Sequence, residues 1–125
     1  MSGNRFLLDT NAVIALLKGH QPVLEHIREA EWLAISVATQ LEFLSFPSLS
    51  QTDEQLFKSF VARIDTVGLS GQDTKLLEQI ISLRKTKKLK LPDAIVAASA
   101  MQHYAALITA DEAFKSVRGL RVLDF

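Results

Sequence analysis

Short, continuous apolar runs are the feature that most constrains the fold of this chain. Four of them stand well apart in the sequence: Phe6–Leu8, Trp32–Ile35, Ala106–Thr109 and Leu120–Leu123. A weaker fifth candidate covers Asp65–Leu69. Strands with one exposed face alternate apolar and polar side chains, whereas strands buried on both faces of a parallel sheet are nearly continuously apolar. The runs therefore predict a mostly parallel sheet of four to five strands.

Stretches with helical spacing of apolar residues lie between these runs. The predicted helices are Asn11–Leu17, Pro22–Ala30, one from Val37 that follows Ser36 as its N-cap and ends at Pro47, one opened by a Thr52–Gln55 capping box, one capped by Ser70, and Ala94–Met101. The last of these is apolar nearly all round, which indicates a buried helix. Strands that alternate with helices predict an α/β fold, here a three-layer α/β/α sandwich formed by a single domain over residues 1–125.

Composition excludes several classes of protein. The chain has no cysteine, which rules out a disulfide scaffold, a thiolate zinc site and a cysteine nucleophile. Its 14 basic and 14 acidic residues give zero formal charge, so any binding of nucleic acid has to come from a local patch. We find no export signal, and the longest nearly apolar run is too short to cross a membrane. We therefore expect a cytoplasmic protein without membrane contact.

Acidic residues fall where strands end or helices begin. Asp9 closes the first apolar run, Asp111 follows the fourth, Asp93 opens the apolar helix, and Glu42 lies in the helix after the second run. Each taken singly has an ordinary explanation as a helix cap, a partner of the helix dipole or a solvated residue. Parallel topology, however, brings the carboxyl ends of strands to one edge of the sheet, where ligands collect. Several carboxylates at one pocket repel one another unless a cation lies among them.

The type of ligand in this acidic set indicates which cation it would hold. Carboxylate oxygens without histidine or cysteine favour Mg²⁺, or alternatively Mn²⁺, over zinc. Such an ion activates a water molecule and neutralises charge on a phosphoryl group during in-line attack. Metal-assisted hydrolysis of phosphodiesters is the reaction class that this pattern favours.

Four segments give the chain a resemblance to the PIN domain family, in particular to the VapC-type toxin ribonucleases. They are Leu8–Asn11 followed by Val13 and Ile14, Ser36–Glu42, Leu91–Ala98, and Thr109–Asp111 before Phe114. No single segment is specific, whereas the four in this order and spacing are. One departure is Ala110, where the family more often has asparagine, and this puts one supporting contact in doubt.

The resemblance implies a PIN-like fold and a Mg²⁺-dependent endoribonuclease that is the toxin of a toxin–antitoxin pair. It implies Asp9, Glu42, Asp93 and Asp111 as the acidic metal site. The supporting residues it implies are Thr10, Asn11, Thr109 and Arg84. The implied partners are an RNA substrate, a small antitoxin whose tail lies across the active groove, and a second copy of the chain.

A dense basic run precedes Asp93. It consists of Arg84, Lys85, Lys87, Lys88 and Lys90. Such a run is often a solvated helix end, where cations also suit the helix dipole. Its other interpretation is a surface that binds the phosphate backbone of RNA. Because the acidic cluster lies next to it in the sequence, we favour the second interpretation.

Two other functions compete with the ribonuclease. The first is a catalytically silent PIN-like module that binds RNA or protein, which the presence of all four acids argues against. The second is a phosphoacceptor receiver domain, which needs an acidic pair at the end of the first strand and an aspartate ending the third. Here Thr10 and Asn11 follow Asp9, and the third candidate strand ends in Gly68 and Leu69. The receiver interpretation therefore fails.

Overall fold

A parallel β-sheet runs through the centre of the protein. The structure is a computed structural model that describes residues 4–125. In this part of the chain the strands are β1 (Arg5–Leu8), β2 (Trp32–Ser36), β3 (Asp65–Val67), β4 (Ala106–Ile108) and β5 (Val122–Leu123). Their order is β3-β2-β1-β4-β5, and every neighbouring pair is parallel. The predicted sheet, including its weaker fifth strand, is confirmed.

Helices connect the strands and cover the sheet. They are α1 (Thr10–Leu17), α2 (Gln21–Ile27), α3 (Val37–Leu44), α4 (Gln51–Val61), α5 (Thr74–Lys87) and α6 (Leu91–Gln102), with a 3₁₀ segment at Glu112–Ser116. The inner residues of α6 from Ala94 to Ala100 are all buried, as its apolar sequence predicts. Over residues 4–125, none of the helices has the length and apolar character needed to cross a membrane.

The apolar core is divided between the two faces of the sheet. Leu7 and Leu107 point to one face and pack with residues of α5 and α6. Phe6, Leu8 and Ile108 point to the other and pack with residues of α1, α2, α3 and α4. Since successive side chains of a strand alternate between faces, apolar residues at every position require cover on both sides. The predicted three-layer α/β/α sandwich is confirmed.

The sequence predicts the N-cap residues of three helices, and the structure confirms one of the three. The Ser36 side chain accepts a hydrogen bond from the Ala38 amide at the start of α3, as expected. The Thr52 prediction is wrong, because α4 is capped by Ser50. The Ser70 prediction is also wrong, because α5 is capped by Asp73. Helix α3 ends at Leu44, before Pro47 is reached.

The order of the strands locates a crevice. From β1 the chain moves outward through β2 to β3, and then returns to place β4 and β5 on the other side of β1. The direction of winding therefore reverses between β1 and β4. In open parallel sheets, ligands bind at the carboxyl ends of the two strands that flank such a reversal. Asp9 directly follows β1, and Asp111 lies three residues beyond the end of β4.

Candidate active site

Asp9 is a buried carboxylate at the first residue after β1. Its side chain caps α1, with Oδ1 accepting from the Thr10 amide at 2.9 Å. Its other oxygen, Oδ2, accepts from the Thr109 hydroxyl at 2.8 Å and from the Asn11 side-chain amide at 3.3 Å. Burial raises the pKa of Asp9 above its usual value, while the bonds from Thr109 and Thr10 oppose the rise. The Asp9 side chain is thus held in one position by donors at the start of α1 and directly after β4.

The Thr109 hydroxyl links the two strand ends that flank the crevice. It donates to Asp9 and accepts from the Asn11 side-chain amide at 3.2 Å and from the Asp111 backbone amide at 3.0 Å. The Asn11 Oδ1 atom in turn accepts from the Ala110 backbone amide at 3.0 Å. This last bond uses only the backbone of residue 110. The departure from asparagine there consequently leaves this link between β1 and β4 in place.

Glu42 lies on α3 and reaches the same crevice from a third element. Its side chain is exposed, and its Oε1 accepts from the Thr10 hydroxyl at 2.7 Å. Its negative charge also contributes to the raised pKa of Asp9. Glu42 is therefore oriented toward Asp9 by the first residue of α1, and is not an independent solvated side chain of its helix.

Asp93 lies half-buried in the first turn of α6. Its pKa is raised from 3.8 to about 6, first by burial and then by the negative charges of Asp9, Asp111 and Glu42. The positive charge of Lys90 opposes this rise. The structure therefore brings the four acids predicted from the sequence into one electrostatic neighbourhood, although they come from four separate segments of the chain.

The chemistry of these side chains fits a hard divalent cation. In the part of the chain that the structure describes, no three histidine, cysteine, aspartate or glutamate side chains are close enough to form a ready-made metal centre. Mg²⁺ does not require one, because it keeps several water ligands and is usually held by one or two carboxylates. Carboxylates that raise one another's pKa are also stabilised by a nearby cation. The four acidic side chains therefore fit Mg²⁺ in the type of their donor atoms and in their negative charge.

The basic run acts on the acids of this crevice through Lys90. Its members, Arg84, Lys85, Lys87, Lys88 and Lys90, are all exposed. The first three lie in the last turns of α5, and Lys88 caps its end in a left-handed conformation with φ of 57°. Lys90 occupies the N-cap position of α6 without a side-chain cap bond, and its positive charge opposes the rise in the pKa of Asp93.

The hydrogen bonds that join separate segments of the site were not predicted from the sequence, and two of them illustrate why. The bond from Thr10 to Glu42 joins residues 32 positions apart, and the bond from Ala110 to Asn11 joins residues 99 positions apart. Neither pair carries a local sequence signal. Both become visible only when the strand order places these segments next to one another.

The fold and the site together define a parallel α/β domain with carboxylates just beyond the ends of the two strands where the strand order reverses. The model of the PIN domain family matches residues 6–120, and the chain belongs to that family. The family resemblance stated from the sequence is therefore confirmed. No curated protein sequence gives a significant match.

Solved structures with a similar fold include chains of toxin–antitoxin complexes. A chain of a toxin–antitoxin complex from Klebsiella pneumoniae is 29% identical with a TM-score of 0.75, covering 94% of each chain. A chain of VapBC-1 from nontypeable Haemophilus influenzae is 23% identical with a TM-score of 0.76, covering 95% of this chain and 96% of that one. A chain of VapBC2 from Rickettsia felis, bound to a DNA fragment from its promoter, is 23% identical with a TM-score of 0.73, covering 95% and 97%.

Proposed function

We propose that this protein is a Mg²⁺-dependent endoribonuclease and the toxin component of a toxin–antitoxin pair. The observation that carries the proposal is electrostatic: the charges of the other three predicted acids add to burial in raising the pKa of Asp93 to about 6. Membership of the PIN domain family and the likeness to a chain of the Klebsiella pneumoniae complex support it. Mn²⁺ is the alternative cation, because it accepts the same oxygen ligands.

The four acids are the residues that would hold the cation: Asp9, Glu42, Asp93 and Asp111. When bound, Mg²⁺ would supply charge neutralisation at the scissile phosphate and activation of a water molecule for in-line attack. The protein itself contributes the positions of the carboxylates. Thr10 orients Glu42, while Thr109 and Asn11 fix Asp9 against the end of β4.

The basic run supplies binding of the substrate backbone. Lys90 lies three residues before Asp93, which places its charge beside the acids. The exposed cations at the end of α5, which are Arg84, Lys85, Lys87 and Lys88, would pair with phosphates further along the strand. A single-stranded or looped RNA enters such a crevice more easily than a duplex, so we expect it to be the preferred substrate.

Cleavage of RNA by the purified protein tests this function. Structured and unstructured RNAs are incubated with wild type, with Asp9→Asn and with Asp53→Asn, in Mg²⁺ and in EDTA. Asp53 is an exposed acid on α4 that is not one of the four predicted acids, and its substitution removes the same charge. We expect cleavage in Mg²⁺ by wild type and Asp53→Asn only. Cleavage that survives EDTA or the Asp9 substitution contradicts the proposal, and binding of RNA without cleavage favours the silent module.

We further propose that an antitoxin and a second copy of the chain are its protein partners. An apolar groove of about 240 Å³ between α1, α3 and α4, lined among others by Ile14, Leu17, Phe43 and Leu56, supports a bound partner segment. The exposed leucine and isoleucine side chains Leu41 on α3 and Ile81 on α5 support self-association. Light scattering of the isolated chain and of the chain co-expressed with its neighbouring gene product would measure both.

A further inference from the structure

The Thr39 side chain carries a buried polar atom without a hydrogen-bond partner. It lies on α3 and is 0% exposed, and its hydroxyl oxygen bonds to no group of the described residues 4–125. The other buried polar side chains of these residues all form hydrogen bonds: Asp9, Ser36, Ser99 and Thr109. Burying a hydroxyl without a partner costs stability, so such a group in a folded protein calls for an explanation.

A helix offers a buried hydroxyl an easy partner, which Thr39 does not use. Serine and threonine hydroxyls in helices can donate to the carbonyl group four residues earlier. In α6 the Ser99 hydroxyl donates in this way to the Ile95 carbonyl at 2.7 Å. In α5 the Thr86 hydroxyl donates to the Ser82 carbonyl at 2.8 Å. The usual structural explanation of a helical hydroxyl therefore does not apply to Thr39.

The strand register places Thr39 beside the acidic crevice. Leu8 of β1 pairs with Ile35 of β2, and these two strands lead into α1 and α3. The two helices are in contact, with Asp9 as the N-cap of α1 and Thr39 in the first turn of α3. Thr39 therefore lies at the edge of the sheet where Asp9 lies.

The helical period shows which side of α3 carries Thr39. At about 100° per residue, Thr39 lies about 60° from Glu42 and about 40° from Phe43 around the helix axis. Glu42 accepts from Thr10 at the start of α1, and Phe43 belongs to a core cluster that includes Val13 of α1. Because both of these neighbours turn toward α1, Thr39 lies between them on the same side of α3.

Glu42 has acceptor capacity for a second donor. Its carboxylate accepts from the Thr10 hydroxyl at 2.7 Å, and a carboxylate offers about four lone-pair sites. Residues three apart on a helix have Cβ atoms about 5–6 Å apart, so the Thr39 and Glu42 side chains can meet. No three acids of the described residues form a ready-made metal centre, so a cation held by several of them would draw their side chains together. Since Glu42 is exposed, its carboxylate has room to turn inward, toward Thr39.

We propose that Thr39 is a positioning residue for Glu42. When the four predicted acids hold a cation, the Thr39 hydroxyl donates to the Glu42 carboxylate and keeps it turned into the crevice. The hydroxyl then gains its partner only in the loaded site, so the new hydrogen bond contributes to cation affinity. This inference rests on the cation site of the proposed function.

Melting curves in EDTA test whether the Thr39 hydroxyl has a partner within the protein. Thr39→Val keeps the shape of the side chain and removes the hydroxyl, so its melting temperature should exceed that of wild type by about 4 °C. Thr109→Val is the matched control, because it makes the same change at a buried hydroxyl that donates to Asp9, and it should melt below wild type. A Thr39→Val protein that also melts below wild type overturns the inference, since its hydroxyl then has a structural partner.

Metal binding tests the role of the hydroxyl in the loaded site. Mn²⁺ alone is titrated into wild type, Thr39→Val, Thr39→Ser and Thr86→Val, and free Mn²⁺ is followed by electron paramagnetic resonance. Thr39→Val should bind about tenfold more weakly than wild type, whereas Thr39→Ser keeps the donor and should bind like wild type. Thr86→Val makes the same change in another helix, α5, and should also bind like wild type.

The results distinguish a failure of this inference from a failure of the proposed function. Saturable binding to wild type with unchanged affinity of Thr39→Val overturns the inference alone. Binding to Thr39→Ser as weak as to Thr39→Val also overturns it, because the side chain then acts through its packing and not through its hydroxyl. No saturable binding to wild type contradicts the cation site itself, and the inference with it.

Discussion

Replacing Asp93 by asparagine should stabilise the metal-free protein. The carboxylate has a pKa raised from 3.8 to about 6, which at about 1.4 kcal/mol per pKa unit corresponds to roughly 3 kcal/mol of destabilisation when it is ionised. Because the side chain is half-exposed, screening by water and salt should reduce this to about 1 kcal/mol. At this chain length, such a gain raises the melting temperature by about 4 °C.

The pH dependence of this effect follows from the direction of the pKa change. Between 3.8 and about 6 the folded protein binds more protons at Asp93 than the unfolded chain does, so wild-type stability falls as pH rises through this window. The advantage of Asp93→Asn should therefore be full above about pH 6 and vanish below about pH 4. Melting curves of both proteins in EDTA across this range measure it.

The melting temperatures of wild type and Asp93→Asn are also compared with and without Mg²⁺. A ligand that binds the folded state stabilises it, so Mg²⁺ should raise the melting temperature of wild type more than that of Asp93→Asn. Asp93 lies in the first turn of α6 and not at its N-cap, so a role limited to the helix dipole predicts an Asp93→Asn protein that is less stable than wild type by about 0.3–1 kcal/mol. Equal melting temperatures at all pH values, with equal responses to Mg²⁺, would refute the reasoning about repulsion among the acids.

Three further changes test the basic run, the hydroxyl link and the core. Lys87→Glu/Lys88→Glu should weaken RNA binding and reduce the slope of log affinity against log salt by about one for each lost phosphate contact, measured by titration at several salt concentrations. Thr109→Val removes a donor to Asp9 and should cost about 1–3 kcal/mol in urea unfolding. Phe57→Ala removes a side chain that is 1% exposed and should cost about 3–5 kcal/mol in the same assay.

For each of these three predictions, one experimental result would contradict it. An unaltered salt dependence would show that the end of α5 is only a solvated surface. A Thr109 variant as stable and as active as wild type would mean that its hydroxyl does not position Asp9. Phe57 stacks on Phe43 with centroids 4.2 Å apart, so a change below about 1 kcal/mol would show that this stack is not part of the core.

The strands and the acids could be predicted from the sequence because both carry strong local signals. Leu7 and Leu107 belong to apolar runs that only a sheet covered on both faces can bury. Asp9 and Asp93 stand next to apolar segments whose directions in a parallel fold are fixed. The electrostatic effect of Asp9, Asp111 and Glu42 on Asp93 is thus a consequence of topology, which the alternation of strands and helices already implied.

Caps and long-range contacts could not be predicted in the same way. Ser50 and Thr52 are both good capping residues two positions apart, and tertiary packing of the helix decides which one begins it. Similarly, Ser70 and Asp73 are both good capping residues, and α5 begins after Asp73. The contacts of Trp32 with His103 and Asp65 could not be predicted either, because they join separate segments of the chain.

Direct measurement of metal binding tests the central claim that the four carboxylates form a divalent-cation site. Mn²⁺ is titrated into wild type, Asp93→Asn and Asp53→Asn, and free Mn²⁺ is followed by electron paramagnetic resonance. We predict saturable binding to wild type and to the Asp53 variant, and clearly weaker binding to the Asp93 variant, with Mg²⁺ displacing the bound Mn²⁺. No saturable binding to wild type, or equal binding to all three proteins, would contradict the claim.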